Sequence, residues 1–264
     1  MRLSPAARFK QSVLAREAVE QASAAGFAPE RQESGPAATE YELLLAALGE
    51  DMRRLKDIQS TEGKIAAKRE MIGAYDAHVD ATLAAAIDSG KAVQDELLVN
   101  MMIWRLDIGD YDRGLDIAEH VLGFGLRLPA RFQRTPATLV AELIAEAALE
   151  AARIDRDFPL QVLQRADQLT GDFDMPDAVR AKLAKAQAQQ LVRIAQAADA
   201  DPDNAPAGAP HASRKAALAL FQRALQLEPK IGVVKDIERL TAWLNKHPPA
   251  PAAAPAADAD AATE

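Results

Sequence analysis

Residues 91–110 read KAVQDELLVNMMIWRLDIGD, a long apolar run that ends in the dipeptide Gly109-Asp110. The run predicts a helix from Lys91 to Leu106, and Gly109-Asp110 predicts a turn because glycine allows the backbone angles that turns need. Asp110 is then a suitable N-cap for a second helix, from Tyr111 to Gly123. One helix therefore follows another with only a short turn between them.

The same helical spacing of apolar residues extends in both directions along the chain. Alanine is frequent, β-branched and aromatic residues are sparse, and no stretch alternates apolar with polar residues as a half-buried strand does. The sequence therefore predicts an all-α fold. The side chains expected in its core are Trp104, Leu106, Ile117, Leu122 and Leu183. The helices predicted after Gly123 are Thr135-Pro136 to about Ile154, Phe158-Pro159 to about Thr170, Ala178 to about Ala197, Arg214 to Leu227 and Ile231 to Lys246.

On the N-terminal side, residues 60–63, Ser-Thr-Glu-Gly, separate two amphipathic helices. Thr39 has the position of an N-cap for the first helix, with Glu42 three residues later as its capping-box partner. The second helix is predicted from Lys64 to Asp88. Helices joined by so short a turn form an αα-hairpin, and such a hairpin can pair with copies of itself as coiled coils do.

These features divide the chain into four parts. Residues 1–39 are predicted to be a flexible N-terminal arm, and residues 40–89 are the helical hairpin, a candidate for oligomerisation. Residues 90–247 form a helical domain with tetratricopeptide-like helix pairs and a loop at about 199–213 that is rich in Asp, Pro, Gly and Ala. Residues 248–264 hold no core-forming side chain and are predicted to be a disordered tail.

The composition indicates a globular protein with an uneven charge. The 264 residues include no cysteine, which excludes disulfides and thiolate metal sites and is consistent with a reducing cytoplasm. Apolar runs are shorter than the ~20 residues of a membrane span, and no signal peptide is recognised. The net charge of −8 argues against a uniformly basic nucleic-acid binder. Residues 73–126 hold three Lys/Arg and ten Asp/Glu, whereas residues 127–135 hold three arginines and no acid.

Several stretches, taken together, resemble one known family. They are Lys64–Glu70, Asp95–Asp110, Gly125–Pro129, Arg134–Pro136, Asp174–Leu183 and Val233–Leu240. In this order and with this spacing, they resemble the small terminase subunits of P-two-like temperate phages, over Tyr41 to Leu244. Two features depart from that family. Residues 199–210 look like an insertion, and a tail with Asp258, Asp260 and Glu264 replaces the family's Lys/Arg-rich tail.

The resemblance implies a role in packaging viral DNA. Small terminase subunits bind the packaging-initiation, or cohesive-end, site on double-stranded phage DNA. They assemble into homo-oligomers, commonly rings, and present the DNA to the terminase large subunit, which carries the ATPase and nuclease activities. The resemblance also implies that the protein acts in the host bacterial cytoplasm and has no membrane partner. The family is often labelled the terminase endonuclease subunit, a label that concerns the holoenzyme and does not make this chain the nuclease.

Two acidic clusters have the composition of a Mg²⁺ site, which a nuclease would need. Both lie at predicted helix starts, where carboxylates cap free N–H groups, and we favour this capping interpretation over metal binding. In it, Asp174 is an N-cap and Asp177 lies three residues later. The clusters are Asp107, Asp110, Asp112 and Asp116, and Asp172, Asp174 and Asp177.

Other catalytic arrangements have little support in the sequence. There is no Walker-type phosphate loop, and the four histidines lack the spacing of metal ligands. His78 and His120 are predicted on helix surfaces, and His211 and His247 in flexible regions. We therefore predict no catalytic, metal-binding or cofactor-binding residue, and no cofactor.

Two basic patches are candidate DNA contacts. At the hairpin, Lys64 and Lys68 share a helix face as i and i+4 residues, but interleaved acids leave open the alternative of a solvated face. On the loop at 127–134, arginines would contact phosphates and position a duplex without reading its bases. Alternatively, this loop pairs with acidic helices nearby. The candidate residues are Arg53, Arg54, Lys56, Lys64, Lys68 and Arg69 at the hairpin, and Arg127, Arg131 and Arg134 on the loop.

A second class of function comes from two stretches that look like tetratricopeptide helices, Gly109–Ala118 and Arg214–Pro229. Taken alone, they predict a helical-repeat adaptor that binds proteins and no DNA. A true array recurs at about 34 residues, whereas these stretches are far apart with unlike helices between them. We interpret them as repeat-like packing within the helical domain.

Overall fold

The computed structural model describes residues 27–31, 35–204, 206 and 208–248, together with the single positions Lys10 and Val13. Every regular element in this part of the chain is helical, which confirms the predicted fold class. A 3-10 turn (Ile72–Tyr75) lies between the second and third α-helices. The helices are α1 (Pro36–Asp57), α2 (Thr61–Met71), α3 (Asp76–Ser89), α4 (Glu96–Asp107), α5 (Tyr111–Gly123), α6 (Pro136–Arg153), α7 (Leu160–Thr170), α8 (Asp177–Ala200), α9 (Ala209–Leu227) and α10 (Val234–Lys246).

Helix α4 forms the centre of the main core. Its residues 97–104 are each at most 8% exposed, because α1, α3, α5 and α6 all contact this helix. A helix that is apolar on every side requires such neighbours on every side. The core prediction is confirmed for all five of its members, which are the buried side chains Trp104, Leu106, Ile117, Leu122 and Leu183.

The turn between α4 and α5 lets the two helices approach closely. Gly109 has a φ of 84°, in the left-handed region that glycine adopts without strain. Gly114 lies in α5 directly against Leu106 of α4, and a Cβ at Gly114 would lie 2.5 Å from Leu106 Cδ2. Glycine is therefore favoured at residue 114 by packing rather than by its backbone angles.

A smaller hydrophobic cluster holds the C-terminal helices together. Ala188 of α8, Ala217 and Phe221 of α9, and Val233 and Leu240 beside and within α10 are all buried in it. Helix α5, by contrast, belongs to the main core. The two tetratricopeptide-like stretches thus lie in different clusters, and a repeat-like pairing between them is not confirmed.

The first two helices reverse direction, as the predicted hairpin requires. Ser60 caps α2 by accepting a hydrogen bond from the Gly63 amide at 3.1 Å, so the turn ends earlier than predicted. The Tyr75 hydroxyl donates to Asp51 Oδ2 at 2.6 Å, back near the middle of α1. The second arm is not one continuous helix to Asp88, because the 3-10 turn divides it into α2 and α3.

Two helix starts differ from the predictions. Residues 91–94 are not helical, because Asp95 is the N-cap of α4 and accepts from the Leu98 amide at 2.9 Å. Thr39 is not an N-cap: α1 begins at Pro36, a residue suited to the first turn of a helix, and the Thr39 hydroxyl donates to the Gly35 carbonyl.

Further corrections concern the C-terminal half. Asp174 is not the N-cap of α8, because Pro176 holds that position and the helix begins at Asp177. The predicted loop at 199–213 is shorter, since α8 extends to Ala200 and α9 begins at Ala209. Thr135, in contrast, caps α6 by accepting from the Thr138 amide, which agrees with the helix start predicted there.

Residues 27–31, which we name the N-terminal strap, lie against the helical domain. The Ala28 amide donates to the Gly125 carbonyl at 3.3 Å, and the Gln94 amide donates to the Pro29 carbonyl at 2.7 Å. Ala28 itself is buried. These five residues belong to the predicted arm; the rest of that arm before Gly35, except Lys10 and Val13, lies outside the described residues, as does the predicted tail after Pro248.

Candidate nucleic-acid interface

The hairpin turn carries the exposed cations of the first predicted patch. Arg53 pairs with Glu50 one helical turn earlier, and Arg54 lies 3.3 Å from Glu70 Oε2 across the hairpin. Both arginines are more than half exposed, so these pairs contribute little and a stronger anionic partner can replace them. Their positive charge is therefore available at the surface.

Lys56 and Lys64 have fewer internal partners than these arginines. Lys56 is exposed at the end of α1, Lys64 is partly exposed in the first turns of α2, and within the described residues neither forms an ion pair. They flank the turn at Ser60. The positive charges beside this turn are the least neutralised by acidic residues of the same chain.

Lys68 and Arg69 both contact the end of α4, Lys68 from a largely buried position and Arg69 from an exposed one. Lys68 forms an ion pair with Asp107, with the two side chains 16% and 25% exposed. Arg69 donates to the Ile108 carbonyl at 2.9 Å, where a helix C-terminus attracts positive charge. These two contacts, which we name the clasp, join the hairpin to the helical domain. The predicted hairpin patch therefore does not form one continuous face.

The three loop arginines have partners as well. Arg127 pairs with Glu30 of the strap, and Arg134 pairs with Glu142 of α6. Arg131 donates to the Asn100 side-chain oxygen, and burial of its guanidinium lowers the pKa of Arg131. Contact with phosphate at this loop therefore requires exchange of existing partners.

The acidic residues around the α4–α5 turn point to separate cations. Asp110 accepts from Arg105 at 2.7 Å rather than capping α5 with its side chain. Asp116 is buried beside Arg165 at 2.9 Å, and Asp107 pairs with Lys68. In the part of the chain that the structure describes, no group of three or more acidic, His or Cys residues is arranged to hold a metal ion.

A buried ionic cluster lies where the strap, the hairpin and α4 meet. Asp95 is fully buried and accepts from Arg31 at 2.6 Å and from His78 Nε2 at 2.7 Å. Burial alone would raise the pKa of Asp95, but its hydrogen bond with His78, together with the Leu98 amide and Arg31, lowers that pKa overall. Arg31 also lies over the Tyr41 ring at 4.2 Å. We name this group the Asp95 cluster.

The Asp95 cluster was missed from sequence, although one signal pointed to it. An Asp directly before an apolar helix is a good N-cap, and Asp95 precedes Glu96-Leu97-Leu98. Burial raises the pKa of Tyr41 to about 12, and its hydroxyl accepts from the Glu96 amide at 2.8 Å. The cluster thus orients the start of α4 from two sides.

The predicted positions of the histidines also need correction. His78 belongs to the Asp95 cluster, and His120 is fully buried with neither ring nitrogen hydrogen-bonded within the described residues. Burial lowers the pKa of His120 to about 4. His211 lies inside α9 rather than in a flexible region, and His247 ends α10 with its ring stacked on Trp243.

Among the described helices, none is long and apolar enough to cross a membrane.

The family model described as phage small terminase subunit matches residues 45–178. The chain is 38% identical over 218 residues to "Terminase, endonuclease subunit" of Escherichia phage P2, covering 82% of this chain and 80% of that protein. It is 28% identical over 166 residues to "Probable terminase, endonuclease subunit" of Haemophilus phage HP1 (strain HP1c1), covering 60% of this chain and 55% of that protein. No solved structure matches.

Proposed function

The chain belongs to the phage small terminase subunit family, and on that premise we propose that it binds the cohesive-end site of double-stranded phage DNA as a homo-oligomer. In this proposal the oligomer then delivers the site to the terminase large subunit in the host cytoplasm. The observation that carries the proposal is the 38% identity to a terminase subunit over 82% of the chain.

The hairpin turn is the proposed first contact with the phosphate backbone. Lys56 and Lys64 lie on the two sides of Ser60 and have no internal ion pair within the described residues, so binding a phosphate there costs no existing pair. Arg53 and Arg54 add exposed charge on the same helix end. Contacts of this kind give affinity and position the duplex without reading its sequence.

The loop arginines are the proposed second contact, used after a partner exchange. Phosphate would replace Glu30 at Arg127, a pair whose members are 42% and 70% exposed. Arg134 is 52% exposed although Glu142 beneath it is 12% exposed, so its outer face is open to a second anion. Arg131 lies at the surface, but its guanidinium is partly buried, with a hydrogen bond to Asn100 and an electrostatic attraction to Glu96.

The hairpin is also the proposed self-association surface. Leu48 and Leu55 direct one face of α1 into the core, whereas Leu43 on another face is 68% exposed, with Ala46 and Ala47 exposed beside it. An apolar stripe on an outward helix face suits pairing with another copy. Several subunits holding repeated DNA sites would gain affinity by avidity, and a closed ring is one arrangement that achieves this.

We assign no chemical step to this chain. In the first acidic cluster, Asp107, Asp110 and Asp116 pair with Lys68, Arg105 and Arg165. Neither acidic cluster is arranged to hold a metal ion within the described residues. Cutting is therefore assigned to the large subunit, and the role of this chain is to recognise the site and recruit that subunit. The domain division into arm, hairpin, helical domain and tail remains part of the proposal.

The first experiment combines light scattering with DNA binding. We would measure the mass of the purified chain with and without a duplex carrying the cohesive-end region, and compare its affinity for a scrambled duplex. A discrete oligomer that prefers the cohesive-end duplex and leaves it uncut supports the proposal. A monomer indifferent to DNA overturns it in favour of a helical-repeat adaptor, and Mg²⁺-dependent cutting by the chain alone overturns the assignment of chemistry to the large subunit.

The hairpin contact has its own test. Lys56→Glu with Lys64→Glu should lower the salt dependence of DNA binding by about 1.8, at 0.9 per phosphate contact in a plot of log affinity against log salt. The matched control is Lys91→Glu with Arg156→Glu, two exposed cations that form no ion pair within the described residues. If both pairs behave alike, the hairpin turn is not in the DNA interface.

A further inference from the structure

The C-terminal helices are a basic part of a chain whose net charge is −8. Residues 208–248 hold seven Lys/Arg and three Asp/Glu, a balance of 7 − 3 = +4. Of these seven cations, Arg214 is buried and paired with Asp199. The six that remain exposed are Lys215, Arg223, Lys230, Lys235, Arg239 and Lys246.

Helix α10 arranges three of these cations in one line. Its inward face packs through Ile237 and Leu240 into the C-terminal cluster. Lys235, Arg239 and Lys246 are all exposed, and they are spaced at i, i+4 and i+11. With 3.6 residues per turn, such positions lie on one face of a helix. We name these three residues the α10 stripe.

The stripe is only weakly compensated by acids. Arg239 lies 3.8 Å from Asp236, and Glu238 is exposed on the adjoining face. Within the described residues, Lys235 and Lys246 form no ion pair. By contrast, seven of the nine cations predicted from sequence already have internal partners.

We infer that the α10 stripe is a contact surface for the phosphate backbone of duplex DNA, separate from the hairpin and the loop. At 1.5 Å per residue, Lys235 and Lys246 are about 16 Å apart along the helix axis. That is roughly five base pairs of duplex at 3.4 Å each. Ala242 is the fourth member of the same face, at i+7, and its small side chain lets a duplex backbone approach the helix between the cations.

Duplex DNA is the occupant that fits this surface. Protein interfaces depend on apolar or aromatic residues that become buried at their centre. The exposed face of α10 offers only Thr241, Ala242 and Asn245 between its cations, and its one exposed large apolar residue, Val234, stands alone at the start of the helix. A line of flexible cations on a small-residue face suits a regular polyanion. The inference rests on the proposed DNA-binding function and adds a third contact to it, about 170 residues beyond the hairpin turn in sequence.

The test reverses the two unpaired ends of the stripe, Lys235→Glu with Lys246→Glu, in the full chain. The control is again Lys91→Glu with Arg156→Glu, which changes the net charge by the same amount. We expect the stripe variant to lose tenfold or more in affinity at 0.1 M salt and about 1.8 in salt slope, with unchanged mass and helicity. The control should retain wild-type affinity within about threefold.

A second readout separates backbone contact from base reading. Because phosphate contacts carry no sequence information, the stripe variant should weaken binding to cohesive-end and scrambled duplexes by the same factor. A loss confined to the cohesive-end duplex overturns backbone contact. Equal affinities of stripe variant, control and wild type overturn the inference, as does a defect only in capturing the large subunit, which would make the stripe a protein-docking surface.

The outcomes also distinguish this inference from the proposed function. If the wild-type chain binds duplex DNA and the stripe variant binds it equally well, the inference fails and the proposed function stands. If the wild-type chain binds neither duplex, the proposed function fails, and the stripe loses its assigned ligand with it.

Discussion

Replacing Asp95 with alanine should destabilise the protein strongly. The carboxylate is fully buried, accepts from Arg31 and His78, and caps α4 through the Leu98 amide. Asp95→Ala would leave two partly buried donors and one helix terminus without a partner. Breaking a buried ion pair costs about 3–5 kcal/mol and losing an N-cap about 1 kcal/mol. These contributions overlap, so we expect about 4 kcal/mol.

The measurement is urea or thermal unfolding followed by circular dichroism. For a chain of this size, about 4 kcal/mol corresponds to a decrease of roughly 8–16 °C in Tm. Asp167→Ala, at an exposed position on α7, is the matched control and should stay within about 0.5 kcal/mol of wild type. A loss below about 1 kcal/mol for Asp95→Ala would refute the reasoning, since the hydrogen bonds to Asp95 would then not be holding the start of α4.

The same carboxylate predicts a pH dependence. Its pKa in the folded state is lowered from 3.8, so the unfolded chain binds a proton more readily than the folded one. The stabilisation is fully present above pH 3.8 and is lost as the pH falls through the lower, folded value. Asp95→Asn should remove this part of the acid sensitivity, which unfolding curves between pH 2 and pH 5 would test.

Three further predictions concern packing, a buried base and the clasp. Gly114→Ala should destabilise the protein by about 1–2 kcal/mol, because the new Cβ would contact Leu106. The matched control, Gly49→Ala, adds a Cβ that has no atom within 4 Å and should stabilise the protein by about 0.5–1 kcal/mol. Urea unfolding of both variants tests this, and a Gly114→Ala protein as stable as wild type would contradict it. Because burial lowers the pKa of His120 from 6.5 to about 4, the free energy of unfolding should rise by about 3 kcal/mol from pH 4 to pH 6.5, and His120→Leu should flatten this rise. Lys68→Met should cost about 1 kcal/mol of stability through loss of the Asp107 pair, while Lys64→Met should leave the unfolding curve unchanged and weaken DNA binding; a stable Lys68→Met chain would argue against the clasp.

Local signals in the sequence were sufficient for the fold class and for several helix bounds. The helix from Tyr111 to Gly123 was predicted with its observed ends, because a glycine turn precedes it and a glycine ends it. Thr135 followed by proline marked the start of α6. Helical spacing alone identified Trp104 and Ile117 as core residues, because each lies on an apolar face of its helix and such a face packs against the core.

What the sequence could not provide was the choice of partner for each charge. Lys68 and Asp107 are 39 residues apart, and Arg31 and Asp95 are 64 apart, so neither pair leaves a local pattern. The i, i+4 spacing of Lys64 and Lys68 predicted a shared helix face, but not that Lys68 would pair with Asp107 of α4. His120 looked like a surface residue for the same reason, because its burial depends on helices that pack on it from elsewhere in the chain.

The N-terminal strap sets an order of events during synthesis. Glu30 leaves the ribosome 97 residues before its partner Arg127. At about 5–20 residues per second, the strap waits roughly 5–20 s for the surface on which it closes. Helices α4 and α5, which are neighbours in sequence, can pack as soon as both have emerged, and the strap can then close on this pair. A fault in the strap should therefore leave early folding unchanged and appear as faster unfolding of the finished protein.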